Sequence, residues 1–426
     1  MKTENKKIKL GLIGLGTVGS GVFKTLKNFD NIEITKIAVK NISKPRNIEG
    51  LDLSILTDDP YEVVNSDVDV VAELVGGLDP AFDLITTAIK NGKHIVTANK
   101  ELLAKKGDEL FTIAEKYNRV ILYEAAIAGG IPIIMPIKTI LAGNMITDIE
   151  AILNGTTNYI LTKMDMDGAS YEEVLKEAQE LGYAEADPTG DVEGYDAAYK
   201  VTTLATLAFK KKIKLENVYR EGITKVRAED MQAANELGYK IKLIASAHLD
   251  ENGCADVRVH PMLVSKNSTL SHINYVKNAV SLNGHPVGHV TLSGAGAGEF
   301  PTASSVVGDI LAIASEFGKT DYVLPMMRCS HSEVAKSVNI LDTKNKYYIS
   351  INAKNNLGVI GNIGKICEKN NISVASIMQH GVKDNNTADI TMLTEFSLEK
   401  DMRQALKDFE ESEYINKINS MIRVQG

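Results

Sequence analysis

The stretch from Gly182 to Lys200, GYAEADPTGDVEGYDAAYK, gathers five carboxylates (Glu185, Asp187, Asp191, Glu193 and Asp196) around glycines and a proline and closes on a lysine. Asp196 and Lys200 are one helical turn apart. On a helix beginning near Gly194 they share a face, with Asp196 close to the positive end of the helix dipole. Such a carboxylate–ammonium pair can form one wall of an electrostatic site for a polar ligand. It can equally be an ordinary surface ion pair behind a solvated acidic loop, and the stretch alone does not choose between the two. Apolar spacing predicts helices over Tyr171–Leu181 and Tyr195–Phe209, which leaves the acidic stretch as a loop between two rigid elements.

A second chemistry-bearing stretch lies near the N-terminus. The apolar run Lys9–Ile13 ends in Gly14-Leu-Gly16-Thr17-Val18-Gly19, and helical spacing follows. Gly14 permits the tight turn, Gly16 lets the backbone approach a pyrophosphate and Gly19 lets helix and strand pack closely. The free N–H groups of the helix start face the anion. The next strand, Ile32–Val39, ends in Lys40 and Asn41, where an NAD site would carry an acidic residue. Lys44 and Arg46 follow, so a 2′-phosphate is accommodated: the sequence predicts NADP(H), with NAD(H) as a second choice.

The elements that position these groups follow in order. Val68–Leu74 reads as a strand buried on both faces and ending at Gly76-Gly77, Pro80–Asn91 as a helix, and His94–Thr97 as a strand leading into a helix from Lys100 to Tyr117. Gly76, Thr97 and Lys100 thus fall beyond strand carboxyl ends, where open α/β sheets bind ligands. A lysine in the first turn of a helix opposes the dipole, which calls for an anionic partner for Lys100. Val120–Glu124 reads as a strand. The small residues Ala125–Gly130 after it form either a loop whose carbonyls, with Glu124, hold a monovalent cation, or a plain crossover. Thr147–Leu153 is a strand, and Asn154-Gly-Thr-Thr-Asn158 offers hydroxyls and amides to a small polar substrate, with Thr157 or Asn158 as cap of the next helix. A helical pattern is read from Ile213 to Ile244 and a strand over Asp256–Val264. A second glycine turn, Ser293–Ser304, puts Gly298 and Pro301 before a helix Thr302–Phe317 that returns to close the cofactor site. After the linker Asp342–Lys346 the order is βαββαβ, a ferredoxin-like unit.

At 426 residues, 44% apolar and 24% charged, the chain has the composition of a soluble globular protein with two or three domains. A net charge of −8 without basic tracts argues against nucleic acid. No apolar run reaches the ~18 residues a membrane span needs. The N-terminus has no signal-peptide pattern, and Cys254, Cys329 and Cys367 are too few and too scattered for a disulfide framework. The expected compartment is the cytoplasm.

GLGTVG, the VTANK run ending in Lys100, EAAIAGGIP, LNGTTNYIL, GYAEADPTGDVEGYDAAYK and GAGEFPTASSV occur in this order. Together they closely resemble homoserine dehydrogenase from Lys7 to about Arg328, and the last segment resembles an ACT domain. The resemblance implies an α/β fold: a Rossmann-like dinucleotide-binding domain (1–133, with 300–330 packing back onto it), an α+β catalytic and dimerisation domain (134–299) and a ferredoxin-like regulatory domain (342–426). It implies reversible conversion of L-homoserine and NADP+ to L-aspartate 4-semialdehyde and NADPH, in threonine and methionine biosynthesis. Lys200 resembles the catalytic acid/base and Lys100 the second active-site lysine. Glu185 and Asp196 resemble the residues around the substrate's amino and hydroxyl groups, with Asp191 and Thr156 beside them. Gly182 and Gly298 would line the nicotinamide pocket, and Glu124 with the carbonyls of Ile127, Gly129 and Ile131 resembles a sodium site. The regulatory segment has Asn355-Asn356-Leu357-Gly358 where ACT domains carry a D-x-P-G turn. It implies an amino-acid effector, with threonine as the candidate, and a homodimer or homotetramer. A phosphorylating semialdehyde dehydrogenase would need a cysteine nucleophile; Cys254 and Cys329 lie outside any helix-start or glycine-rich context that would activate a thiol, and Cys367 is in the regulatory segment.

Overall fold

The computed structural model describes residues 7–316, 328, 329, 331, 333–382 and 386–426. The chain begins with alternating strands and helices: β1 (Ile8–Ile13), α1 (Thr17–Leu26), β2 (Ile32–Ala38), β3 (Leu56–Thr57), α2 (Pro60–Asn65), β4 (Val70–Glu73), α3 (Ala81–Lys90), β5 (His94–Thr97), α4 (Lys100–Lys116) and β6 (Ile121–Leu122). All six strands are parallel, in the order β3-β2-β1-β4-β5-β6. The order reverses between β1 and β4, so the glycine turn after β1 opens at the topological switch point. Leu10, Leu12, Val70 and Val96 of this sheet pack under α1 on one face. Val71 and Ile95 pack under α3 and α4 on the other. Each such side chain contributes about 1.5–3 kcal/mol by leaving water.

Two short helices, α5 (Ala125–Ala128) and α6 (Ile134–Lys138), lead out of the parallel sheet. The expected loop at Ala125–Gly130 is therefore a buried helical turn, since small apolar side chains allow the chain to coil tightly under the sheet edge. Then follow β7 (Met145–Ile152), α7 (Gly155–Asp167), α8 (Tyr171–Glu180), α9 (Thr189–Val192), α10 (Tyr195–Phe209), β8 (Tyr219–Arg220), α11 (Ala228–Glu236), β9 (Tyr239–Leu249), β10 (Cys254–Ser265), β11 (Lys277–His285), β12 (Gly288–Ala295) and α12 (Glu299–Glu316). The helical reading of Ile213–Ile244 is replaced by β8, α11 and the first half of β9. Tyr239–Leu249 is apolar enough to pass as a buried helix, but it is a central strand between β7 and β10. The acidic stretch also contains a helical turn, α9. The helix of the second glycine turn starts at Glu299, so Pro301 sits inside its first turn, where its missing N–H costs nothing. Phe317 lies outside the described residues, as do 317–327 and 330 of the returning segment.

α12 returns to the parallel sheet. Ala303, Val306 and Ile310 join the core beneath α1, and a Cβ on Gly21 would lie 2.7 Å from the Glu299 carbonyl oxygen. Lys24 and Glu299 close this contact with a 2.7 Å ion pair.

The last unit contains β13 (Lys336–Ser337), β14 (Lys344–Lys354), α13 (Val359–Lys369), β15 (Val374–Val382), β16 (Thr387–Thr394), β17 (Ser397–Leu398), α14 (Glu399–Glu410) and β18 (Ile415–Val424). Its four long strands run β18-β14-β16-β15, the fourth-first-third-second order of a split βαβ unit. It is not a separate bead: β18 pairs parallel to β10, Met262 opposite Arg423 and Leu263 opposite Val424, which fuses both units into one mixed sheet.

Candidate active site

α10 begins at Gly194, whose φ of +78° suits glycine and turns the chain sharply into the helix. Asp196 and Lys200 lie on its buried face. Asp196 Oδ2 is 2.6 Å from Lys200 Nζ, and Asp196 Oδ1 pairs with Lys100 Nζ at the start of α4. Lys200 also donates to the Leu153 carbonyl at 2.7 Å. The anionic partner that the Lys100 position called for is thus Asp196.

Asn154 completes the arrangement. Its Nδ2 donates to Asp191 Oδ1 at 2.6 Å and to Asp196 Oδ2 at 2.9 Å. Its Oδ1 caps α7 by accepting the Thr157 N–H at 2.8 Å. The cap is Asn154 and not Thr157 or Asn158, because α7 starts at Gly155. Sequence reasoning missed the role of Asn154; the available signal was an Asn immediately before a Gly at a strand-to-helix turn.

The charges are strongly biased. Burial pushes the Asp196 carboxyl up, but the Lys200 and Lys100 ammoniums overcome this and hold it well below the usual carboxylate range. Burial pulls Lys200 below its ordinary value, and the Lys100 charge adds to this against the attraction of Asp196. Lys100 is also pulled down by burial, yet Asp196, Asp191 and Glu185 together raise it. One lysine is held charged while the other is eased toward neutrality. Glu185 is exposed, Asp191 half-buried. Thr156 donates to the Tyr183 carbonyl at 2.7 Å and so ties the start of α7 to Gly182, whose surroundings are open.

The dinucleotide loop fits its ligand. A Cβ on Gly16 would meet nothing within 4 Å, whereas one on Gly19 would lie 2.2 Å from the Gly14 carbonyl oxygen, and Gly14 has φ +107°. The first turn of α1, with Thr17 and Val18, has no side-chain cap, so its N–H groups face outward. Gly76 has φ +74° and open space around it. Behind it lies a residue the sequence reading passed over, Glu73. It is fully buried and accepts from the N–H groups of Val75 (2.9 Å) and Gly76 (3.0 Å) and from the Thr97 hydroxyl (2.7 Å). Its signal was a charge near the end of an apolar strand. The Thr97 hydroxyl is therefore held inside the scaffold and not presented to a ligand. Lys40 is exposed beyond β2, while Arg46 folds back onto the carbonyls of Asn41 and Lys44.

Glu124 is buried beyond β6. Its carboxylate accepts the N–H groups of Ile133 (2.5 Å), Ile134 (2.7 Å) and Met135 (2.8 Å), which occupies both oxygens at the start of α6. The Gly129 carbonyl accepts the Ser305 hydroxyl at 2.7 Å. A Cβ on Gly129 would lie 2.2 Å from the Gly296 carbonyl oxygen, so this segment is pressed against the second glycine turn that ends at Gly298. The three N–H bonds fix the orientation of the Glu124 carboxylate. No cluster of three or more His, Cys, Asp or Glu side chains suited to a metal occurs among the described residues. Among them, no helix is long and apolar enough to cross a membrane.

The thiol of Cys329 also departs from the sequence reading. Burial raises it, but the Lys138 charge and the hydrogen bond with Tyr123 help bring it down to about 7. It is 7% exposed and its Sγ is 3.1 Å from the Tyr123 hydroxyl.

Residues 14–124 match the family model described as homoserine dehydrogenase, NAD binding domain, and residues 132–311 match that of homoserine dehydrogenase. The chain is 41% identical over 432 residues to the homoserine dehydrogenase of Neisseria gonorrhoeae, covering 99% of each. The crystal structure of a homoserine dehydrogenase from Thiobacillus denitrificans superimposes with a TM-score of 0.92 at 38% identity, over 99% of this chain and 98% of that one. A hyperthermophilic archaeal homoserine dehydrogenase in complex with NADPH aligns at 27% identity and a TM-score of 0.62, over 73% of this chain and 99% of that one. This chain belongs to the homoserine dehydrogenase family, NAD(P)-dependent oxidoreductases that act on the CH–OH group of L-homoserine.

Proposed function

We propose that Lys200 is the proton-transfer group of this reaction and that Asp196 and Lys100 set its charge. The bridging of both lysines by one buried carboxylate carries this reading. NADP(H), when bound, exchanges a hydride with C4 of the substrate. In the oxidising direction neutral Lys200 accepts the proton of the C4 hydroxyl, and in the reducing direction charged Lys200 returns it to the C4 oxygen. Lys100, held charged, stabilises negative charge developing on that oxygen. With both Asp196 oxygens engaged by lysines, the substrate ammonium is left to Glu185 and Asp191, with Thr156 and Gly182 at the same edge. The test is kcat with L-homoserine against 4-hydroxybutanoate: the amino-free acid is expected to be a far poorer substrate, and equal turnover would remove the ammonium assignment.

The cofactor reading is NADP(H) with NAD(H) second, held by Gly14, Gly16, Thr17, Val18, Gly19 and Gly76, with Gly182 and Gly298 at the nicotinamide end and Lys40 toward the 2′-phosphate. A sodium ion would rest on the carbonyls of Ile127, Gly129 and Ile131, and no step is routed through it. We divide the chain into cofactor (1–133), catalytic (134–299) and regulatory (342–426) domains, with 300–330 returning to the first; 383–385 of the regulatory domain lie outside the described residues.

The regulatory unit is assigned as ACT-like from its strand order. β15 ends the sheet with Ile377, Met378 and Val382 exposed, a free edge suited to side-by-side pairing in a homodimer or homotetramer. At the variant turn, Asn355 binds Asn386 and Leu357 is 99% exposed. Threonine is the proposed effector; inhibition curves identical before and after removal of the chain from Asp342 onward would withdraw it. The three free cysteines fit a cytoplasmic setting.

A further inference from the structure

Strand β8 is short but has two faces. It lies parallel to β10, Tyr219 opposite Arg258 and Arg220 opposite Val259, and Glu221 extends it by donating its N–H to the Val259 carbonyl at 2.8 Å. Side chains alternate along such a segment. Tyr219 and Glu221 point to the C-terminal unit: Arg403 of α14 donates to the Tyr219 hydroxyl at 2.8 Å, and Arg423 of β18 pairs with Glu221 at 3.0 Å. Arg423 is 1% exposed and also pairs with the fully buried Glu399 at 2.5 Å.

Arg220 points the other way. Its guanidinium stacks 3.4 Å from the centroid of the Tyr195 ring and donates to the Glu193 carbonyl. Around it the chain 222–224 clamps 192–193. Ile223 donates to the Val192 carbonyl at 2.8 Å, Thr224 donates to Glu193 at 3.1 Å, and a Cβ on Gly222 would lie 2.4 Å from the Val192 oxygen. The clamped residues stand between Asp191 and Asp196, immediately before Gly194 and the helix that carries Lys200.

We infer that Arg220 is a positioning residue for Asp196 and Lys200, and that the strand 219–221 makes its position answer to the C-terminal unit. The inference rests on the acid–base reading of Lys200. A shift of α14 or β18 changes the partners of Tyr219 and Glu221, the strand shifts against β10, and Arg220 carries the movement to Gly194 and Tyr195. The groups facing Lys200 are Asp196 on its own helix, Asp191 at α9, Lys100 at α4 and the Leu153 carbonyl after β7. Slackening the start of α10 loosens the Asp196 contact that retains the Lys200 proton.

The test measures kcat, KM for homoserine, NADPH affinity and the pH profile of homoserine oxidation in the full-length enzyme. Arg220→Met is expected to lower kcat roughly 10–100-fold, the scale of a small misplacement. It should move the alkaline limb to lower pH and leave NADPH affinity unchanged, with Arg220→Lys restoring part of the loss. Arg403→Met, at a partly exposed position, is expected to lower kcat roughly 2–30-fold alone and to add nothing in the Arg220→Met background. Tyr219→Phe, which removes one hydroxyl, is expected to act like a weaker Arg403→Met and carries the test if Arg220→Met does not fold. Additive losses, or variants that lower Tm with kcat and the pH limb unmoved, overturn the inference. Lys200→Met separates the two readings: if it turns over normally, the acid–base assignment fails. If it is inactive while the Arg220, Arg403 and Tyr219 variants keep wild-type profiles, only the coupling fails.

Discussion

Asp196 lies 2.6 Å from Lys200 across one turn of a single helix, and its other oxygen takes Lys100 from the parallel-sheet region. The first contact is local and follows from the spacing of the two residues. The second exists only because β5 delivers the start of α4 to the same place. With Asp196, Asp191 and Glu185 around it Lys100 is held charged beside Lys200, which suits binding an oxygen that becomes negative as the reaction proceeds.

Replacing Lys200 by Met removes the proton-transfer group and keeps much of the volume. kcat is expected to fall by roughly 10²–10⁴ in both directions, with NADPH affinity intact by fluorescence titration. Turnover within a few-fold of wild type would rule Lys200 out.

The pH dependence has a definite sign. Lys200 is drawn below the ordinary lysine value by burial and by Lys100, and oxidation needs it neutral. The rate of homoserine oxidation should therefore rise with pH and level off below pH 10.5, the ordinary lysine value, while semialdehyde reduction falls through the same region. Asp196→Asn removes the attraction that retains the proton and should move the limb to lower pH, with a lower kcat. A limb that moves to higher pH would contradict the assignment.

Much of this was legible in the sequence. Strand, glycine turn and helix at Gly14–Gly19 obey local rules, and so does the i,i+4 pair of Asp196 and Lys200. What was not legible depends on contacts between distant segments. The three N–H groups that orient the Glu124 carboxylate lie nine to eleven residues further on. Tyr239–Ile244, the first half of β9, passes for the end of a helix because a central strand buried on both faces has no alternation to reveal it. Asn154 was seen as part of a polar turn, but its bonds to Asp191 and Asp196 span 37 and 42 residues.

Asn154 combines two functions that substitution can separate. Asn154→Ser keeps an oxygen for the helix cap but cannot donate to both carboxylates. It should leave Tm nearly unchanged and reduce kcat. Asn154→Ala loses the cap as well, at about 0.5–2 kcal/mol of stability, which a denaturant midpoint would register. Equal Tm and equal kcat losses in both variants would mean that the side chain acts only as a cap.

The second and third glycines of the pocket loop should fail in different ways. At Gly16 a methyl group enters open space, so Gly16→Ala is expected to fold with a wild-type Tm. Its NADPH dissociation constant should rise, because the methyl occupies the path by which the pyrophosphate reaches the backbone. At Gly19 the same methyl would lie 2.2 Å from the Gly14 carbonyl oxygen, a backbone atom that cannot swing aside. Gly19→Ala must therefore push α1 away from β1, costing about 1–3 kcal/mol as overpacking does, and the cofactor site is distorted with it. Calorimetry and NADPH titration of the two variants distinguish the cases. A Gly16→Ala enzyme that binds NADPH normally would show that the dinucleotide does not approach the loop at that residue.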